Sequence, residues 1–357
     1  MRLNTNLLCV LGALIAPAML LAQTVKITPV GAHTGDFCAP DRALILEDPT
    51  GVRILYDPAT TVAGGSDTRL GRIDAILVSH AHGDHLGNAK LNQDPDSATA
   101  RCDSATTLPS TNSNAAEIAA AKNSAVIVSG DLAPFLNAKI QAVLGVTVPG
   151  CAATGPANTT VVPLTQPCTG NLGYGAKRTL MFAGAQSGVQ VALVSALHGN
   201  GLPSTLLADP LKSEMTANGL TFAPGGASGY VVTFTNGLRV YLSGDTGLLS
   251  DMQAIVRDYY KANLVVLNVG DIFTIGPEEG AFAIDTLIRP AAVIPSHVNE
   301  VATTNGQVNA GTKTARFIDL VKTAPVYPPL SGVTMQFDGN GRCVSGCPVG
   351  RQAHESH

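Results

Sequence analysis

The sequence predicts an α/β (α+β) chain in which β-sheets are covered by helices. Three observations point there: short β-branched runs recur along the chain, turn and hairpin signals separate them, and fewer helical patterns fall among them. Composition agrees. Of 357 residues, 45% are hydrophobic and 13% charged, which excludes a disordered chain and supplies a large core. Lysine and arginine number 22 against 26 acids, a net charge of −4 without a basic run, so nucleic acid is not an expected partner.

The N-terminus reads as an export signal. Arg2 gives a positive start, an uncharged apolar stretch runs from Leu7 to Leu21, and Ala22-Gln23 is a small-residue exit. A membrane anchor is the alternative, but the run is shorter than the ~20 residues a span requires, and Pro17 interrupts it. Residues 1–22 are therefore expected to be removed, leaving a periplasmic or secreted protein with no stable membrane insertion. Beyond Cys9, six cysteines remain: Cys38, Cys102, Cys151, Cys168, Cys343 and Cys347. An even set in an exported chain favours disulfides. Cys343 and Cys347 suggest a local bridge, and the pairing of the other four stays open. A thiolate zinc site is disfavoured because no second short-spaced pair completes it.

Residues 42–47, 52–56 and 73–79 read as strands, with Asp48-Pro49-Thr50-Gly51 turning the first into the second. Runs at 125–128, 190–195, 230–235, 239–242 and 264–268 continue the series, and 291–295 is expected to be the last buried strand. Asn236-Gly237 is a hairpin signal. Helical patterns cover 114–122, 247–261, 277–287 and 311–322. Pro277 followed by Glu278 and Glu279 suits a helix start, where the missing N–H is harmless and carboxylates meet the positive end. Between about 88 and 175 the composition shifts to Ser, Thr, Asn, Ala, Pro and Gly. That stretch is expected to be a long insertion in one domain spanning 23–340, followed by a tail at 341–357.

Chemistry concentrates where the strand at 73–79 ends. It runs into His80-Ala81-His82-Gly83-Asp84-His85, three of the chain's eight histidines. His80 and His82 are two apart, so on extended backbone their rings project to one side. Asp84 and His85 follow on a turn that Gly83 permits. Imidazole and carboxylate are the ligands a borderline-soft divalent ion prefers, and the pattern predicts a metal site. His198, Asp245 and His297 each lie just past an apolar run, as His80 does, and complete the donor set for two sites. His33 and Asp271 are candidates to stand behind the ligands, although a surface loop suits His33 and turn capping suits Asp271 equally or better. Tyr230 and Tyr241 lie on strands, where tyrosines usually pack. His354 and His357 belong to the polar tail.

This order of residues resembles the metallo-β-lactamase-fold hydrolases. The resemblance runs from about Val25 to His297. Asn268-Val269-Gly270-Asp271-Ile272-Phe273-Thr274-Ile275-Gly276-Pro277-Glu278, with Pro295-Ser296-His297 after it, is similar to the branch that includes ascorbate-6-phosphate-lactonase-like proteins. The resemblance implies a four-layer αββα sandwich with its site at one edge of the sheets. It also implies two divalent metal ions, zinc first and manganese or iron as alternatives. One would be held by His80, His82 and His198, the other by Asp84, His85 and His297, with Asp245 bridging both. A metal-bridging hydroxide would attack, and Asp84 would orient it and carry a proton to the leaving group.

The expected activity is hydrolysis of a small ester, lactone or phosphodiester. Two rivals are a periplasmic β-lactamase and a non-catalytic metal- or partner-binding protein on the same fold. True β-lactamases of the superfamily lack the bridging aspartate, so Asp245 disfavours the first. His82 stands where di-iron flavoprotein relatives carry glutamate, which disfavours redox chemistry. RNA-processing relatives share a Gly-Asp-Thr like Gly244-Asp245-Thr246, but an acidic exported chain suits that work poorly.

Overall fold

A computed structural model describes residues 23–348; the expected export signal, His354 and His357 lie outside the described residues. In chain order the elements begin with β1 (Val25–Pro29), β2 (Leu44–Glu47), β3 (Arg53–Tyr56), β4 (Ala75–Leu77), α1 (Gly83–Leu86), β5 (Ala89–Leu91) and β6 (Thr107–Pro109). Next come α2 (Asn114–Lys122), β7 (Ala125–Ser129), α3 (Ala133–Leu144), β8 (Thr159–Val162), β9 (Cys168–Leu172), β10 (Lys177–Phe182) and β11 (Val189–Ser195). They are followed by α4 (Leu211–Ala217), β12 (Ser228–Thr233), β13 (Arg239–Leu242), a π-helical segment at Met252–Tyr259, and β14 (Leu264–Asn268). The chain then forms α5 (Pro277–Phe282), which continues as π-helical turns over Ala283–Ile288, and β15 (Ala292–Ser296). The ribbon β16 (Thr303–Thr304) and β17 (Gln307–Val308), α6 (Lys313–Leu320), β18 (Met335–Phe337) and β19 (Cys343–Ser345) complete it.

Two sheets face each other. One has the order β19-β18-β1-β2-β3-β4-β7-β9, the other β15-β14-β13-β12-β11-β10-β8. The near-continuous apolar strands follow from burial on both faces. Leu44, Leu46, Ile54, Leu77 and Ile127 point inward and meet Leu193, Val232, Leu242, Val266 and Ile294 of the opposing sheet. Their neighbours Ile45, Leu55, Ile76 and Val126 point outward beneath α2 and α3. Val231, Tyr241, Val265 and Val293 do the same beneath the helical segments at Met252–Tyr259 and Ala283–Ile288 and beneath α6. Four layers result, as the family resemblance implies.

Strand direction positions the site. β3, β4, β7 and β9 are mutually parallel, and so are β13, β14 and β15. Because β11 and β13 both run antiparallel to β12, β11 shares their direction. The C-terminal ends of these strands open on one edge, where loops carry side chains away from the packed core.

Several expected elements shift. The run at 73–79 contributes only Ala75–Leu77 to its sheet, because the backbone then leaves it: the Ser79 carbonyl accepts the Ser228 N–H at 3.0 Å, from the other sheet. The pattern at 247–261 becomes helical only at Met252, since Gly247 donates to the Leu197 carbonyl instead. The strand at 291–295 is not the last buried one. β18 follows it, with Met335 and Phe337 fully buried, and three residues were too short a run to read. Residues after 340 are not wholly a tail, because β19 pairs with β18. Helix α3 was hidden by Pro134, which reads as a breaker yet sits harmlessly in the first turn. The 88–175 stretch is likewise no mere appendage. It supplies β7 and β9 of the first sheet and the helices α2 and α3 that cover it, while β5 and β6 form a separate ribbon.

The six cysteines lie as three pairs. Cys343 stands against Cys347 as expected, and the other four pair as Cys38 with Cys102 and Cys151 with Cys168. Among the described residues, no helix is long and apolar enough to cross a membrane.

Candidate metal centre

Each residue of the expected donor set reaches the open edge from a strand end. β4 leads into His80, which is fully buried. His82 has extended backbone and caps α1, a single turn that swings Asp84 and His85 around. Gly87 ends that turn at φ +80°, where an added Cβ would run into Asn114 and the Ala59 carbonyl. His198 follows β11, Asp245 follows β13, and His297 follows β15 with φ +50°.

The seven side chains converge. Asp245 Oδ2 lies 3.1 Å from His297 Nε2, 3.3 Å from His85 Nε2, 3.6 Å from His198 Nε2 and 4.0 Å from His80 Nε2. Asp84 Oδ2 lies 3.1 Å from His297 Nε2 and 3.7 Å from His85 Nε2. His198 Nε2 and His82 Nδ1 are 3.3 Å apart. Three sets of donor atoms are each close enough to share one ion: His80, His82 and His198; His80, His85 and Asp245; and Asp84, His85 and His297.

Charge at the site is balanced for a cation. Burial pushes His80 well below the usual histidine value, and its neighbour His85 pushes it further. Burial lowers His82 and His198 as well, so all three offer neutral imidazole. For His85, burial is outweighed by the Asp245, Asp84 and Asp57 carboxylates, which raise it well above the usual value. For Asp84 and Asp245, burial is outweighed chiefly by His85 and His297, which hold both carboxyls far below the normal range. With no ion bound, a protonated His85 therefore supplies the positive charge that these carboxylates require, and ion binding would displace that proton.

A layer of polar contacts holds the donors, and sequence reasoning missed most of it. Asp57, at the end of β3, accepts at 2.8 Å from both the backbone N–H and the hydroxyl of Ser79, and its Oδ2 lies 2.8 Å from His85 Nδ1. Its position just past the apolar run at 52–56 is the same signal that marks Asp245. Arg42 donates through Nε to Asp84 Oδ2 at 3.2 Å and through Nη2 to Asn299 at 2.6 Å. Asn200 accepts the Ala81 N–H at 2.6 Å and donates to the Pro224 carbonyl, tying the first histidine loop to the segment after His198. Asn268 accepts from Ser243 and donates to the Thr246 carbonyl, clasping both sides of Asp245.

The two residues suggested to stand behind the ligands make their polar contacts away from the donors, although Asp271 lines the cavity beside Asp84 and His297. His33 sits in the loop before β2 with Asp36 as its partner, at 3.3 Å. Asp271 is exposed, and its carboxylate accepts the Ile272 N–H of its own turn. Turn geometry, not ligand support, explains it. Tyr230 is buried and donates to the Val78 and Ile127 carbonyls, and Tyr241 packs under the outer helices. Neither faces the site.

A family model described as a β-lactamase superfamily domain matches residues 41–297, from just before β2 to His297. The chain belongs to that superfamily. Over 309 residues this hydrolase is 30% identical to a UPF0173 metal-dependent hydrolase of Polynucleobacter asymbioticus, with 82% of each chain covered. A second such hydrolase, from Cupriavidus taiwanensis, is 29% identical over 305 residues, covering 82% of this chain and 85% of that one. Among solved structures, Igni18, a metallo hydrolase of Ignicoccus hospitalis, has a similar fold. Its TM-score is 0.50 at 19% identity, over 88% of this chain and 99% of that one. The chain is thus a metal-dependent hydrolase of the metallo-β-lactamase fold.

The residues present fit the divalent ions this family implies. His80 Nε2, His85 Nε2 and Asp245 Oδ1 are buried with no hydrogen-bond partner among the described residues, an arrangement that is costly unless an ion satisfies it. Asp57→Asn is expected to weaken metal retention by about 10–100-fold while the fold persists, because it disturbs the ring orientation of His85. Competition with a calibrated chelator, alongside circular dichroism, measures this.

Proposed function

We propose that this hydrolase is an exported binuclear enzyme that cleaves a small ester, lactone or phosphodiester, and that it stands nearest the ascorbate-6-phosphate-lactonase-like branch. The observation that carries this reading is Asp245 Oδ2, within 4.0 Å of four histidine nitrogens that belong to both donor triads. His80, His82 and His198 would hold one ion, and Asp84, His85 and His297 the other, with Asp245 shared. Zinc suits this nitrogen-rich set best, and manganese or iron takes the same donors. When bound, such ions lower the pKa of water and polarise the oxygen of the bond to be cleaved.

The chain's own groups supply the rest. Asp84 has nearly half its side chain open to the cavity and one oxygen held by Arg42. It is ionised, and once ion binding removes the His85 proton that holds its carboxyl low, it can orient the attacking water and carry a proton to the leaving group. Asp57 keeps the His85 ring turned toward the site, and Asn268 and Asn200 keep the ligand loops from drifting. The apolar run before Ala22 supports export, and three cysteine pairs read as disulfides suit an oxidising compartment. The acidic net charge argues against nucleic acid and for a small-molecule substrate.

The test is turnover by metal-loaded protein on four substrates: an acyl ester, a lactone, a phosphodiester and a penicillin. Hydrolysis within the first three classes is expected. Activity confined to penicillin would overturn the reading in favour of a β-lactamase.

A further inference from the structure

Beside Asp84 and His297 opens a cavity of about 530 Å³, also lined by Asp271, Ile272, Phe273 and Lys313. That is room enough for a small organic ligand. Ile272 and Phe273 are 88% and 74% exposed on its wall. Their backbone holds them there. Asp271 and Ile272 have φ of +56° and +48°, a left-handed conformation that a β-branched residue rarely adopts. The turn is kept by Asp271 N–H donating to the Ile275 carbonyl at 3.3 Å, and by Lys313 Nζ donating to the Gly270 carbonyl. Such strain persists only where surrounding structure enforces it, and it is concentrated at ligand clamps.

Two further exposed leucines stand on the neighbouring strand-end loops. Thr246, next to Asp245, accepts the Ile275 N–H through its carbonyl at 3.2 Å and the Leu197 N–H through Oγ1 at 3.0 Å. Leu197 is 62% exposed and immediately precedes His198, and Leu248 is also exposed. Four large hydrophobic side chains therefore stand on three loops that also carry or adjoin Asp245, His198 and the cavity. The cations nearby are already engaged: Lys313 by the Gly270 carbonyl, and Arg42 by Asp84 and Asn299. The wall suits hydrocarbon, not a polyanion.

We infer that Ile272 and Phe273, with Leu197 and Leu248, grip a hydrocarbon substituent of the substrate, so that the substrate class is an ester or lactone bearing a medium-length alkyl or acyl group. The inference rests on the ester or lactone reading above. Its first test is kcat/KM of the metal-loaded protein on p-nitrophenyl acetate, butyrate, hexanoate and octanoate. A rise of about twofold per added methylene is expected, as partial burial of each CH₂ supplies. The double variant Ile272→Ser/Phe273→Ser should flatten that rise, losing far more on octanoate than on acetate. Turnover of all four esters without dependence on length would overturn the inference and leave the ester reading intact. Absence of turnover on every ester and lactone would instead remove that reading.

A second readout needs no turnover. The chain has no tryptophan, so Phe273→Trp places a single reporter on the wall. A saturable blue shift of its emission with octanoate, and none with acetate, is expected. No shift with octanoate would overturn the inference. So would a shift produced only by raising protein concentration or by adding phosphatidylcholine vesicles, which would assign the patch to a second copy or to lipid.

Discussion

Asp245→Ala is expected to lower kcat/KM by about a thousandfold or more and to reduce bound metal below two ions per chain. The carboxylate is 3% exposed and lies between both donor triads. Two cations a few ångströms apart repel strongly in a site shielded from water, and a shared anion offsets that repulsion. On the binuclear reading proposed above, removing it would weaken both ions' hold and leave four histidines facing an uncompensated gap. Several kcal/mol of transition-state stabilisation depend on the ions, and each 1.36 kcal/mol corresponds to about tenfold in rate. His82→Ala touches one triad only and should deplete one ion preferentially. Elemental analysis of both purified variants, with kinetics on the best ester or lactone, measures this. If both retained two metals per chain, the ligand assignment would be wrong.

Stripping metal from the wild-type protein should abolish hydrolysis and lower Tm by about 6 °C, with both restored by zinc. Two ions that bind only the folded state together add about 4 kcal/mol when each is present at about thirty times its Kd. For a chain of this size the entropy of unfolding converts that into roughly 6 °C. The direction follows from the donors. Without ions, buried His80 Nε2, His85 Nε2 and Asp245 Oδ1 lack partners, and His85 must keep a proton between three carboxylates. Scanning calorimetry before and after chelation, without reductant so that the cysteine pairs are untouched, provides the check. An unchanged Tm in metal-free protein would contradict metal binding at this site.

Much of the site was legible because its chemistry is local. His80, His82, Asp84 and His85 lie within six residues at the end of one apolar run, and no core needs that composition. His198, Asp245 and His297 were found by the same sign, a polar donor just past a buried strand. Asp57 carries that sign too, but a single carboxylate beside Pro58 reads first as turn chemistry. Arg42 and Asn200 gave no sequence signal. Their partners, Asp84 and Ala81, are 42 and 119 positions away, and only folding brings them together. His33 and Asp271 were misplaced for the converse reason. Both lie near glycines and suit a site loop, yet each is claimed by a neighbour three residues away or closer.

The fold divides in the same way. Strands buried on both faces are apolar along most of their length, so the runs that become β11, β13, β14 and β15 could be read directly. β8, β10 and β18 are short or carry polar residues and were not read, and β1 was missed although Val25, Ile27 and Pro29 alternate with the more exposed Lys26 and Thr28. The sequence by itself carried the resemblance to the superfamily, which implies the two-sheet sandwich, and marked the seven candidate donors, because ligand type and the end of an apolar run are written in neighbouring residues. Tertiary structure alone decided that the seven candidates converge on one edge, which contacts hold them, and that Ile272 and Phe273 stand over the cavity. Those depend on distances between loops far apart in the chain, set by parallel strands that end on one edge.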